Sequence, residues 1–176
     1  MFGEMAELAQ VTLADLTDLQ QLAMTTFRET FGQDNSEEDL QDYFATAYHP
    51  DTLCQEIQDP NSLTYLLREK GQAVGYLKVN WGPSQTEQEL DKGFEIQRIY
   101  LLQSHQGKGY GKLLFDKALE LASQSGQDWV WLGVWEHNNK AQRFYANYGF
   151  EKFAEHAFPV GDKVDVDWLL KRRIDR

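Results

Sequence analysis

A glycine-rich segment between a strand-like run and a helical pattern is the feature that most constrains this fold. The run spans residues 94–102, and the segment that follows it reads Gln106-Gly107-Lys108-Gly109-Tyr110-Gly111. Glycines at such a junction let backbone N–H groups close around a phosphate, and the N-terminus of the next helix adds the positive end of its dipole. The segment therefore predicts a strand–loop–helix unit that binds a cosubstrate carrying phosphate.

Three common nucleotide-binding loops do not fit this segment. A Rossmann loop requires an acidic residue about twenty positions later, but that position is Trp131. A P-loop requires Ser or Thr after Gly-Lys, whereas Gly109 follows Lys108. A protein-kinase loop lies near the start of a much longer chain. The segment thus belongs to a different class of phosphate-binding loop.

Apolar periodicity and capping residues predict a mixture of helices and strands along the chain. Three amphipathic helices come first, with start signals at Thr12, Ser36 and Pro50. Strands are predicted at residues 63–68, 73–81, 94–102, 129–135, 150–158 and 164–170, and two more helices after the glycine segment and at 138–148. Because no repeat, linker or low-complexity tract interrupts this pattern, residues 1–176 are expected to form a single domain.

Composition argues against several classes of protein. The formal net charge of −11 disfavours nucleic-acid binding and suits a cationic substrate, although solubility alone also explains it. No apolar run is long enough for a membrane span, and the single cysteine, Cys54, predicts a cytoplasmic location. The histidines lack the spacing of metal ligands, so no metal is expected.

Two motifs resemble, in order and spacing, the signatures of the GCN5-related N-acetyltransferase (GNAT) superfamily. The glycine segment has the spacing Gln-x-x-Gly-x-Gly, which is similar to the coenzyme A pyrophosphate loop of that superfamily. The second motif consists of Val134, Asn138, Ala141, Tyr145, Gly149 and Phe150. Segments at 19–22, 26–27, 75–80, 95–100, 131–136 and 156–162 further resemble the PaiA-type polyamine acetyltransferases.

The resemblance implies an α/β (α+β) fold with a mixed central sheet of about six to seven strands and about four to five helices. Strands 94–102 and 129–135 would run parallel and splay apart at their C-terminal ends. The pantetheine arm of acetyl-CoA would pair with the backbone of Ile99, Tyr100 and Leu101 like an added strand. Its pyrophosphate would lie on the loop formed by Gln106, Gly107, Lys108, Gly109, Tyr110, Gly111 and Lys112.

The resemblance also implies roles for the second motif. Tyr145 matches the general acid that protonates the leaving thiolate, although a core aromatic beside Phe144 and Tyr148 is the structural alternative. Asn138 matches the side chain that orients the cosubstrate, although its place before a helix also fits an N-cap. Ala141 lies in the same motif and is expected to contact the cosubstrate.

A base is required because a primary alkylammonium has a pKa of about 10. Glu95 lies where some members of the superfamily carry a glutamate base, and an acid in an apolar strand favours a function. If no bulge intervenes, alternation places on one strand face Glu95, Gln97, Ile99 and Leu101. A salt bridge to Arg98 or a lysine is the alternative for Glu95, and Glu136 or a water chain is the alternative base.

The acceptor is expected to be a small amine, first of all a polyamine such as spermidine or spermine. Asp162, Asp165 and Asp167 alternate along the last strand, which is typical of a solvated face and would also suit a row that binds cations. The alternatives are a peptide α-amine, a lysine, an aminoglycoside, or a non-catalytic module that senses acetyl-CoA.

Other residues could wall the acceptor site or simply pack the core. These are His156 near the end of the chain and, on the first two helices, Phe27, Phe31 and Tyr43. The polar insertion at 85–91 could either narrow or line a groove. A monomer or a homodimer is expected.

Overall fold

The computed structural model describes residues 6–160 and 162–175, so Gly161 of the PaiA-like segment lies outside the described residues. The strands are β1 (Ala6–Gln10), β2 (Ser62–Glu69), β3 (Gln72–Trp81), β4 (Gly93–Leu101), β5 (Trp129–Trp135), β6 (Glu151–Val160) and β7 (Lys163–Arg173). The helices are α1 (Leu16–Phe31), α2 (Glu37–Ala47), α3 (Pro50–Gln58), α4 (Tyr110–Ser123) and α5 (Asn139–Asn147).

The described strands form one seven-stranded mixed sheet in the order β1-β2-β3-β4-β5-β7-β6. Only β4 and β5 pair in parallel, and the other neighbours are antiparallel. This confirms the predicted mixed fold with its parallel pair and five helices. Strand β1 is absent from the sequence prediction, because its five residues are mostly exposed and lack a clear apolar alternation.

Local capping explains where several helices begin. Ser36 accepts a hydrogen bond from the Asp39 N–H (3.1 Å) at the start of α2. Pro50 occupies the first turn of α3, where its missing N–H costs nothing. Helix α5 is followed by Gly149, whose φ of +85° suits a left-handed C-terminal cap.

The parallel pair separates halfway along its length. Register pairs run from Gly93–Trp129 to Ile96–Leu132 and stop there. Strand β4 continues to Leu101 and stays paired with β3, while the end of β5 stays paired with β7. The gap leaves the facing backbone edges of β4 and β5 without a strand partner, which confirms the predicted splay.

A β-bulge at Gln97 changes the phase of β4. Arg98 of β4 pairs with Lys78 of β3, and Ile96 pairs with Val79. Gln97 has no partner on β3 and is therefore the extra residue of the bulge. The predicted alternation is therefore wrong beyond this point, and Ile99 packs in the core beneath α4. Glu95 and Gln97 stay together on the opposite face.

Two apolar clusters cover the two faces of the sheet. One contains β-strand residues such as Leu77 and Ile96, packed against Phe115 and other residues of α4. The other joins α1, α2 and α3 to the opposite face of β2 and β3 and includes Phe27 and Tyr76. The open ends of β4 and β5 meet α1, α2 and β7 at a cavity between these layers. No helix of the described residues is long and apolar enough to cross a bilayer.

Candidate active site

A cavity of about 380 Å³ lies where β4 and β5 separate. Helices α1 and α2, the ends of β4, β5 and β7, and the start of α5 form its walls. Among the residues that line it are the charged groups and candidate catalytic groups Glu87, Glu95, Arg98, Tyr145, His156 and Asp167. The cavity thus joins the second sequence motif to acidic residues from distant parts of the chain.

The glycine loop has the geometry of an anion site. Gly107 and Gly109 have φ values of +83° and +86°, a conformation that favours glycine. Gly109 caps α4, and its carbonyl accepts the Leu113 N–H (3.1 Å). Within the described part of the chain, the N–H groups of Gly107, Lys108, Gly109, Gly111 and Lys112 donate to no backbone carbonyl. These donors, at the positive end of the helix dipole, fit the pyrophosphate of coenzyme A.

Glu69 of β2 holds the glycine loop from one side. Its carboxylate accepts a hydrogen bond from the Tyr110 hydroxyl, and its Oε1 lies 3.3 Å from His105 Nε2 and 3.9 Å from Lys108 Nζ. Mainly through the Tyr110 hydroxyl, these neighbours lower the pKa of Glu69. Lys112 is also paired, with Asp116 (2.6 Å). Both lysines of the loop, Lys108 and Lys112, therefore already have carboxylate partners.

The predicted contacts at the end of β4 are backbone contacts. Ile99, Tyr100 and Leu101 lie beyond the last pair with β5, so their outer edge is open to an added strand. The side chain of Tyr100 stacks on Tyr76 (5.8 Å between ring centroids) and is directed away from that edge. Gln106 braces the segment, because its Nε2 donates to the Leu101 carbonyl (3.4 Å).

Tyr145 packs in the core and also lines the cavity, and its role as general acid stays a prediction. Its ring packs on Phe115 (5.4 Å between centroids), as a core aromatic would, and the same residue lines the cavity. Burial raises the pKa of Tyr145 to about 12, so its hydroxyl keeps its proton at neutral pH. Asn138 caps α5 by accepting the Ala141 N–H (3.1 Å), and both of these residues line the cavity.

Glu95 is buried (3% exposed) and held by three donors. Its Oε1 accepts from Asn80 Nδ2 (2.9 Å) and from the Thr86 N–H (2.8 Å), and its Oε2 accepts from the Thr86 hydroxyl. Arg98, considered as its partner, instead pairs with Glu56 (2.8 Å). Glu95 thus ties the 85–91 loop to the sheet, and its role as base stays a prediction.

The alternative base and the cysteine lie elsewhere. Glu136 does not line the cavity, and its Oε1 is 3.4 Å from His137 Nε2. Cys54 is half-buried on α3, with its Sγ 3.7 Å from Gln58 Oε1. In the described residues, no group of three or more His, Cys, Asp or Glu could hold a metal ion.

The three aspartates on β7 and in the turn before it lie in different environments. Asp162 is exposed, Asp165 is buried (6% exposed), and Asp167 lines the cavity. Burial raises the pKa of Asp167 to about 6. The solvated-face interpretation is therefore wrong for Asp165 and Asp167. The signal in the sequence was the alternation of these acids with apolar residues, but alternation does not say which face of the strand is covered.

The 85–91 loop contributes a further carboxylate that the sequence did not assign. Glu87 pairs with His156 of β6, and both line the cavity. Gln85 anchors the loop, since its Oε1 accepts a hydrogen bond from Trp131 Nε1 (2.8 Å). Of the two alternatives for this loop, lining the site is the one observed.

Aromatic residues both wall the cavity and pack the core. Tyr43 of α2 stacks on Phe27 of α1 with ring centroids 4.4 Å apart. Phe31 meets Trp135 at the end of β5, with centroids 5.6 Å apart. All four residues line the cavity. The site therefore combines an apolar wall with an acidic one.

Comparisons with known proteins identify relatives of this chain. The chain is 41% identical over 172 residues to an uncharacterized N-acetyltransferase of Lactobacillus delbrueckii subsp. lactis, covering 96% of this chain and 97% of the relative. It is 29% identical over 101 residues to a spermine/spermidine N(1)-acetyltransferase of Bacillus subtilis, covering 57% of this chain and 66% of the relative.

A solved structure has the same fold. PaiA N-acetyltransferase from Thermoplasma acidophilum, in complex with coenzyme A, superposes with a TM-score of 0.77 at 20% identity, covering 96% of this chain and 98% of that chain. The sequence model of the acetyltransferase (GNAT) family matches residues 16–150. The chain therefore belongs to the GNAT family of acetyltransferases.

Proposed function

We propose that this acetyltransferase moves the acetyl group of acetyl-CoA directly to a primary amine, and that its acceptor is a polyamine such as spermidine or spermine. The observation that carries the acceptor class is the acidic wall of the cavity, formed by Glu87, Glu95 and Asp167. Arg98, the arginine in this wall, is neutralised by Glu56. A site with this balance favours a cationic ligand.

The apolar wall supports an acceptor with methylene segments between its charges. The rings of Phe27, Phe31 and Tyr43 offer contact area for such a chain, and their faces attract ammonium groups. The partial match to a spermine/spermidine acetyltransferase is in line with this class. Acceptors vary freely on one fold, so the acidic and aromatic walls carry more weight than the fold itself.

We assign the cosubstrate to the glycine loop and the gap between β4 and β5. The N–H groups of the loop would hold the pyrophosphate, and the open edge at Ile99, Tyr100 and Leu101 would hold the pantetheine arm. Bound there, acetyl-CoA supplies an activated acetyl group as a thioester. Asn138 would orient the cosubstrate from α5, and a backbone N–H near Leu101 would polarise the acetyl carbonyl.

Tyr145 is the proposed general acid for the sulfur of the leaving group. Its high pKa keeps the hydroxyl protonated at neutral pH, so it can donate a hydrogen bond and then its proton to the sulfur as negative charge develops there. The acceptor ammonium must lose a proton to a carboxylate of the cavity, either directly or through water. Glu95 is the candidate predicted from the sequence, and Glu136 or a water chain is the alternative.

The test is thiol release from acetyl-CoA with a panel of acceptors. We expect saturable turnover with spermidine and spermine, and a kcat/KM for butylamine about 10- to 100-fold lower, because butylamine lacks a second ammonium. Preferred turnover of a peptide α-amine, a lysine or an aminoglycoside would reject the polyamine assignment. Binding of acetyl-CoA without turnover of any amine would instead favour a sensing module.

A matched pair of tyrosines tests the acid. Tyr145→Phe removes the proposed proton donor, whereas Tyr148→Phe removes a hydroxyl of the same helix end that lies 3.3 Å from Asp116, outside the cavity. We expect loss of turnover in the first variant alone. Equal losses in both variants would indicate a packing role for the aromatic cluster.

A further inference from the structure

Two carboxylates in the cavity have opposite environments. Both oxygens of Glu95 already accept hydrogen bonds, from Asn80 and Thr86. Neither oxygen of Asp167 accepts a hydrogen bond or forms an ion pair within residues 6–160 and 162–175. A carboxylate that receives a proton from a ligand needs an open oxygen. Of the two, Asp167 provides one.

The position of Asp167 at the gap between β4 and β5 places it on the cavity wall. Asp167 pairs in register with Trp135 of β5, at the strand end where β4 and β5 have separated. Its carboxylate faces Gly133 of β5, where an added Cβ would lie 3.3 Å from Oδ2. Because glycine has no side chain, the carboxylate can lie this close to β5 while Asp167 lines the cavity. Tyr145 lines the same cavity from α5.

Ionisable groups reach Asp167 from each element packed around it. On β7 the neighbour is Asp165, on β6 it is His156 with its partner Glu87, and on α2 and β4 the neighbours are Tyr43 and Tyr100. The pKa of Asp167 is raised to about 6, mainly by burial. Within this net value, His156 lowers the pKa and Asp165 raises it. Tyr43 and Tyr100 are neutral near pH 6, because burial raises the pKa of each hydroxyl.

We propose that Asp167 binds the acceptor ammonium and takes its proton before the acetyl group is transferred. This inference rests on the proposed function and names the proton acceptor of that reaction. Glu95 is then the residue that fixes the 85–91 loop, and with it Glu87, at the cavity wall. Asp167 becomes a catalytic residue, and Glu95 a positioning residue.

Transfer of the acetyl group to the ammonium balances in protons and electrons. The attacking nitrogen gives one proton to an oxygen of Asp167, and its lone pair forms the N–C bond to the acetyl carbon. The C–S bond breaks with its electron pair on sulfur, which takes the proton of Tyr145. The second proton lost by nitrogen restores the Tyr145 hydroxyl through water. The proton on Asp167 leaves to solvent, so one proton is released for each ammonium acetylated.

The pKa of Asp167 suits this role better than that of an ordinary aspartate. An exposed aspartate has a pKa of about 3.9 and an alkylammonium of about 10, so proton transfer between them is strongly uphill. The raised value narrows that gap while leaving the group ionised at neutral pH. Glu95 has no open oxygen for this role, because both of its carboxylate oxygens already accept hydrogen bonds.

Calorimetry without turnover gives the first test. Spermidine is titrated into the protein at pH 6 in two buffers of different ionisation enthalpy, both alone and with coenzyme A, which carries no acetyl group. An ammonium beside a half-protonated Asp167 should displace about 0.5 proton per site. We expect Asp167→Asn to lose most of this release and Glu95→Gln to retain it. Unchanged proton release in Asp167→Asn would overturn the proposal.

The pH dependence of kcat/KM for spermidine gives the second test. We expect an acidic limb near pH 6 in the wild type, and in Asp167→Asn a loss of that limb with kcat lower by about 10²–10⁴-fold. Asp165→Asn should move the limb to lower pH and His156→Asn to higher pH, because their charges act on Asp167 in opposite directions. A merely structural role for Asp167 predicts no such opposite shifts.

The outcomes separate this inference from the proposed function. If Asp167→Asn keeps its turnover and the acidic limb while Glu95→Gln loses that limb, Glu95 is the base. This result would reject the role of Asp167 and leave the proposed function standing. Absence of wild-type turnover on every amine would reject the proposed function, and the calorimetric result would still report whether Asp167 binds ammonium. Thermal unfolding of each variant verifies that it is folded.

Discussion

Replacement of Asp167 by Asn should stabilise the protein in a pH-dependent way. Burial moves the pKa of this carboxyl from 3.8 to about 6, a rise of about two units. Each unit corresponds to about 1.4 kcal/mol, so charging Asp167 costs the folded state at most about 3 kcal/mol. The side chain is partly exposed, and solvent screening reduces this figure to about 1–2 kcal/mol.

The sign follows from the raised pKa in the folded state. Between about pH 4 and pH 6 the folded wild type holds a proton that the unfolded chain has lost, so its stability falls as the pH rises. Asn cannot ionise and escapes this loss. We therefore expect the stability of Asp167→Asn relative to the wild type to increase by about 1–2 kcal/mol between pH 4 and pH 8.

Urea unfolding at pH 4, 6 and 8 measures this difference. Asp162→Asn is the matched control, because Asp162 is exposed in the turn before β7. Its stability relative to the wild type should not change with pH in this way. A difference between Asp167→Asn and wild type that is the same at all three pH values would mean that packing, not charge burial, dominates. A variant that becomes relatively less stable as the pH rises would refute the reasoning outright.

Three further predictions follow from the site. Tyr145→Phe should lower kcat by about 10²–10⁴-fold with an unchanged affinity for acetyl-CoA, measured by steady-state kinetics and calorimetry; an equal loss of affinity would contradict the acid role. Gly109→Ala and Gly126→Ala both place Ala at a positive φ and should each cost about 1–2 kcal/mol in urea unfolding, but only the first should weaken acetyl-CoA binding. Gly133→Ala would put a Cβ 3.3 Å from Asp167 Oδ2 and should raise KM for spermidine about tenfold, while acetyl-CoA affinity stays constant. An unchanged KM would show that the acceptor approaches from elsewhere.

Short-range chemistry made much of the fold predictable from the sequence. The start of α3 at Pro50, the cap of α2 by Ser36 and the left-handed Gly149 after α5 depend on residues within one turn of each other. The glycine loop belongs to the same class, because its φ values and free N–H groups are properties of the local backbone. The spacing of the two motifs was enough to indicate the family that the comparisons confirm.

Only the tertiary structure decided the chemistry of the acidic residues. The phase of β4 depends on a bulge at Gln97 that forms against β3, and no local signal marks it. Glu95 is saturated by donors that lie 9 and 15 positions away in the chain. Asp167 is desolvated because α2, β4 and β5 cover its face of the sheet. The sequence by itself determined the glycine loop and the order of the helices and of the strands other than β1, because these are set by neighbours along the chain. Contacts between distant segments decided that Asp167 has an open oxygen and that the oxygens of Glu95 are occupied. Burial and hydrogen-bond partners exist only once the sheet has assembled.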